Sequence, residues 1–291
     1  MTVKEDIIKA IKETRPLLGD TSLKTYSSLL NSLFKKLNIE DVKDLGKNKS
    51  KIMDYIKGME NHQSRKTMLS PLVILTEDED YKTLIAESTK QVNDKYRTQR
   101  VDLEKLKGLM TMDELKEHYN QTTVRAIKSK KDNAYQDLLL SIFFTGVVDG
   151  LPPRRLMDYT EMKTKNYDKN EDNWTDGRKM VFNKFKTVSS KGQQVWIIPK
   201  ELQKIVKRAI KMGEENEYLL YTNSGKKYSP STLSKKLKGI YGTSVDGLRA
   251  IFISNMYKGM PAIEEMDKIA EMMGHSASTA MNNYVKLDLQ R

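Results

Sequence analysis

At 291 residues and 38% hydrophobic content, the chain is long enough for one large domain or two ordinary ones with apolar cores. A formal net charge of +12 favours a polyanionic partner, nucleic acid before others. The absence of cysteine excludes a disulfide framework, a thiolate zinc site and a cysteine nucleophile, and suits a reducing compartment.

In chain order, MTVKEDIIKAIKE is charged and amphipathic rather than signal-like, and no run of about 18 apolar residues follows anywhere, so no membrane passage is predicted. Ile7, Ile8, Ile11 and Leu18 give a first amphipathic helix. After Thr21, read as an N-cap, Leu23, Tyr26, Leu30, Leu33, Phe34 and Leu37 recur at three- and four-residue steps and give a second. Ile52, Tyr55 and Ile56, then Met68 to Leu75, add further apolar segments, and a helical bundle buries them all. The run Glu77, Asp78, Glu79, Asp80 reads as a solvated helix start favoured by the macrodipole, since adjacent carboxylates do not converge on one ion.

From Gln91 to Lys107 the chain is polar, and Thr111 to Glu114 spells a capping box that opens a new helix, which places a domain boundary near residue 105. Ala134 to Phe144 is an apolar helix closed by Gly146. MVFNKFKT and QQVWIIP read as two strands about a polar turn at Ser189 to Gly192, a small antiparallel hairpin in a mainly helical domain. Helical patterning returns from Pro199 to Met212 and from Ser231 onward, broken by the turn-rich Thr222 to Pro230.

The chemistry-bearing residues lie late in the chain: Arg249 in SVDGLRAIFISNMY, Gly274-His275 in EMMGHSASTAMNNYVKL, and Tyr284 nine positions after the histidine. A tyrosine hydroxyl can attack a phosphodiester and keep its energy as an ester if cations neutralise the non-bridging oxygens, and the arginine fork suits two such oxygens at once. His62 and His118, the other two histidines, carry no comparable context.

This order of residues resembles the tyrosine recombinase (phage-type integrase) family, whose pattern is an R-x-x-E/D box, a hairpin lysine, an H/K-x-x-R box, a G-H/W dipeptide and a tyrosine. The resemblance covers roughly Thr111 to the end. In TGVVDGLPPRRLMDYTEM it places the first box on Arg155 with Asp158 three residues on, and Arg154 competes for the same role. In FNKFKTVSSKGQQVWII the family's K-T falls on Lys186-Thr187, with Lys184 and Lys191 as neighbours open to confusion with it. Strand alternation puts Lys184 and Lys186 on one face. The pattern departs at Asp246, where the family has His or Lys, and at Ala250, where a histidine is common.

The resemblance implies a mainly α fold with a small antiparallel β-sheet: a helical core-binding domain over 1–105 and an α+β catalytic domain over 106–291. It implies a site-specific recombinase of the kind found in viruses and mobile elements, intracellular and DNA-associated in the host cell. No cofactor and no metal are required. Tyr284 is the nucleophile that forms a 3′-phosphotyrosyl bond, and Lys186 protonates the departing 5′-oxygen. Arg155, Arg249 and His275 hold the phosphoryl group, with Asp158 and Asp246 in support. The partner is double-stranded DNA, taken as a dimer on one site and a tetramer on paired sites. Lys24, Lys35, Arg65 and Lys66 are candidate phosphate contacts of the N-terminal domain. Type IB topoisomerase-like relaxation uses nearly the same residues, and a DNA-binding relative impaired at Asp246 is a further alternative.

Overall fold

A computed structural model describes residues 3–100, 108–273 and 276–279. The described residues up to 100, with those from 261 onward, form one compact unit, and those from 108 to 260 form another. The predicted boundary near residue 105 lies outside the described residues.

The first unit is helical: α1 Val3–Thr14, α2 Asp20–Leu37, α3 Lys49–Lys57, α4 His62–Thr76, α5 Glu79–Arg97, then α13 Ile263–Met272 and α14 Ala277–Thr279 from the far end of the chain. The apolar stripes read from the sequence meet in one core of Ile7, Ile11, Leu30, Leu33, Phe34, Ile52, Ile56, Leu69 and Leu72, all nearly inaccessible. Each large side chain so buried contributes about 1.5–3 kcal/mol relative to exposure. Helix α2 starts one residue before the predicted cap. Gly19 is the N-cap and Thr21 lies inside the first turn, where its carbonyl accepts from the Thr25 hydroxyl at 2.9 Å.

The acidic run is divided by function. Glu77 ends α4 in the left-handed region (φ 52°), and Asp78 caps α5 by accepting from the Asp80 amide at 2.9 Å. Lys49 closes on Asp78 and Asp80 at 2.7 and 2.6 Å, and these contacts hold Asp78 below the usual carboxylate range. Helix α13 is tied to the same unit by the pair Asp267–Arg97 and by the Ile263 amide, which donates to Gln99 Oε1 at 2.9 Å.

The second unit contains α6 Met112–Ser129, α7 Asp132–Phe144, α8 Leu156–Thr160, β1 Met162–Lys163, β2 Asn173–Thr175, β3 Lys179–Phe182, α9 Val188–Lys191, β4 Gln194–Ile197, α10 Lys200–Met212, α11 Pro230–Tyr241 and α12 Val245–Met256. The predicted capping box is present: Thr111 Oγ1 accepts from the Glu114 amide at 3.2 Å, and Glu114 Oε2 from the Thr111 amide at 2.7 Å. Helix α7 is buried over almost its whole circumference and centres the core with Tyr159, Phe182, Leu237 and Leu248 around it. It stops before Gly146, whose φ of +72° needs glycine and whose added Cβ would lie 2.3 Å from the Phe252 ring.

The sheet runs in the order β1-β2-β3-β4, and it is mixed rather than antiparallel throughout, because β1 lies parallel to β2. Strand β3 ends at Phe182, before the predicted Thr187. The cause is Asn173, whose side-chain oxygen accepts from the Asn183 and Lys184 amides at 2.8 and 2.7 Å and so takes the bonds a ladder would need. Lys184 and Lys186 therefore sit beyond the strand, and alternation does not govern them. The stretch from Ser189 is the short helix α9, closed by Gly192 at φ +66°, rather than a bare turn.

The C-terminal helical pattern is cut into pieces. Ser229 caps α11, Gly242 (φ +71°) ends it, and Gly259 (φ +92°) follows α12. Among the described residues no helix is long and apolar enough to cross a membrane.

Candidate active site

The Pro-Pro turn delivers two adjacent arginines at the start of α8, and their circumstances differ. Arg154 turns inward: its Nε donates to Asp158 Oδ2 at 2.8 Å and its Nη1 to Gln194 Oε1 at 2.6 Å. Its guanidinium carbon lies 4.0 Å from the Phe182 ring centre, 4.7 Å from Trp196 and 5.0 Å from Phe185. With side-chain exposures of 10% and 4%, Arg154 and Asp158 form a buried pair boxed by aromatics. Arg155 is the N-cap residue of α8 and is half-buried.

Asp158 is the electrostatic centre. Burial pushes its carboxyl up from the ordinary value, and Arg154, then Arg155 and Arg249, pull against that shift. Its Oδ1 is buried without a hydrogen-bond partner among the described residues. Arg155, the N-cap of α8, and Arg249 of α12 both act on this one carboxylate. Arg249, at 30% side-chain exposure, also pairs with the exposed Asp246 at 3.2 Å.

The lysine segment is braced against the arginine segment by Asn173. Its amide nitrogen donates to the carbonyls of Asp158 (3.1 Å) and Lys184 (2.8 Å) while its oxygen holds the amides just named. Lys184 is engaged with Asp172 at 3.1 Å. Lys186 is exposed and pairs with no described carboxylate.

Asn173 and Gln194 also build the site, and the sequence patterns do not point to them. An asparagine inside a strand, where that residue type is depleted, is the single signal that could have found Asn173. For Gln194 there is none. His275 and Tyr284, with Gly274, lie outside the described residues. Of the predicted phosphate contacts in the first unit, Lys24 and Lys35 are exposed on α2. Arg65 instead donates to the carbonyls of Lys57 and Met59 at 2.9 and 2.5 Å, closing the end of α3. Among the described residues no group of three or more His, Asp or Glu side chains is placed to hold a metal ion.

No family model matches the chain, and no curated protein matches it. Among solved structures it is similar to the crystal structure of XerA recombinase, at 12% identity and a TM-score of 0.35, over 99% of this chain and 96% of that one. A likeness of that order carries no argument about chemistry.

Proposed function

We propose that the chain is a tyrosine-type site-specific DNA recombinase. What supports this reading is the buried Asp158, bonded by Arg154 at 2.8 Å and pulled toward its charged form by Arg155 and Arg249 as well. Such a cationic group is what a phosphodiester needs when charge builds on its non-bridging oxygens. Arg154, spent on Asp158 and Gln194, holds the corner rigid, and Arg155 and Arg249 face the phosphate.

In this reading the Tyr284 oxygen gives up its proton to solvent as it attacks phosphorus, the bond to the 5′-oxygen breaks, and Lys186 supplies the proton that oxygen takes up, while His275 joins the arginines. The ammonium of Lys186, unpaired among the described residues, beside a Lys184 engaged with Asp172, favours Lys186 for that role. Rejoining by a second strand's 5′-hydroxyl restores the tyrosine. Residues 1–105 clamp the duplex, 106–291 carry the chemistry, and dimers on each site pair as tetramers.

The reading is tested with a nicked duplex that traps the covalent product. Adduct mapped to Tyr284 and lost in Tyr284→Phe supports it, whereas adduct persisting in Tyr284→Phe overturns it. A second reading, an impaired DNA-binding relative, draws on the Asp246–Arg249 contact, since a carboxylate on that guanidinium competes with phosphate.

A further inference from the structure

Helix α10 presents an unusual surface. Leu202, Val206 and Ala209 are buried, which fixes the opposite side toward solvent, and there Lys200, Lys204, Lys207, Arg208 and Lys211 are all exposed. Their spacing makes Lys200–Lys204, Lys204–Arg208 and Lys207–Lys211 like-charge neighbours one turn apart, each mutually repulsive. Glu201 is the helix's one acidic residue, and none of the five cations forms an ion pair with another described residue. A merely solvated face gains by alternating its charges, and this one does not.

The surface continues past the helix. Gly177, at the β2–β3 turn, lies so close that an added Cβ would be 2.6 Å from Lys207 Cγ, and the exposed Arg178 follows it directly. This turn is at the Lys179–Ile197 end of the β3–β4 ladder, whereas Arg154 is anchored at the Phe182–Gln194 end, about 10 Å further along the strands. From Lys200 to Lys211 the stripe is roughly 16 Å long. That length faces several phosphates of a strand that carries one about every 3.4 Å of axis.

We propose that α10 with Arg178 is a second DNA-backbone surface, distinct from the Arg154–Asp158 corner, that holds duplex without regard to sequence. A row of lysine and arginine heads along the helix fits a row of phosphates, so its contribution is electrostatic and salt-sensitive. The partner class rests on the DNA reading above, and the placement of the surface does not.

The test uses the full chain with Lys204→Gln, Lys207→Gln, Arg208→Gln and Lys211→Gln combined, because glutamine keeps helix propensity. Anisotropy of a labelled duplex of arbitrary sequence is followed over a salt series. The expected result is at least a tenfold weaker Kd at low salt, and a log Kd against log salt slope reduced by about 2 to 4 in magnitude. A matched variant with Lys204→Arg, Lys207→Arg and Lys211→Arg retains the wild-type slope. An unchanged slope in the glutamine variant overturns the proposal. So does wild-type binding to phosphatidylserine vesicles that equals DNA binding and is lost in the same variant. Adduct formation on the nicked duplex is read in parallel: its absence in wild type, with the slope change present, fails the recombinase reading and leaves the surface standing.

Discussion

Replacing Arg154 with leucine strands the buried Asp158 carboxylate and removes the cation from the Phe182, Trp196 and Phe185 box. The expected cost is about 3–5 kcal/mol in urea denaturation. Arg155→Leu, at a half-buried cap position with no side-chain cap bond, is expected within about 1 kcal/mol of wild type while losing adduct on the nicked duplex. Equal destabilisation by both would contradict the division of labour between them. Asp246→Asn releases Arg249 from an exposed contact, so stability should change by less than about 1 kcal/mol and adduct should form faster. A slower rate would instead make Asp246 a productive partner. The two arginines were legible as a pair in the sequence, but which one turns inward was not. That choice is set by Gln194 and Trp196, which join the site through strand pairing and not through any local pattern.

At the scale of elements, periodic helices were legible because burial of one stripe dictates the period, and the Thr111–Glu114 box was legible because both reciprocal bonds are local. The end of β3 was not, since the competing acceptor, Asn173, comes from the preceding strand. Asn173→Leu should therefore cost about 3 kcal/mol by leaving one buried and several part-buried backbone groups unpaired, read by thermal or urea denaturation. Helix α6 carries a pH dependence. Burial, aided by Arg125, holds the His118 imidazole below its ordinary pKa, where it packs edge-on at 5.1 Å from Tyr241. The folded state thus disfavours the imidazolium, and the stability this group contributes is complete above the unfolded value and lost as pH falls through the folded one. Tm should rise between about pH 5 and about pH 7, and His118→Gln should flatten that part of the profile. An unaltered profile would contradict the assignment.

For the molecule as a whole, net charge pointed to a polyanion but not to where it lies. Folding gathers part of the excess on α10 and part about Asp158, and burial that only the tertiary structure reveals separates the two. Likewise α13 belongs with the first unit through contacts to Arg97 and Gln99, a pairing across the length of the chain that no local pattern encodes. Transfer of a DNA phosphoryl group to Tyr284, with the phosphate held by Arg155 and Arg249, is to be sought by peptide mapping of the covalent product on a nicked duplex in the presence of a chelator. The expected product is a tyrosyl-DNA adduct at Tyr284 that Tyr284→Phe and Arg249→Ala each abolish. Duplex that is bound but never joined to the protein, in wild type and in Asp246→His alike, would contradict it.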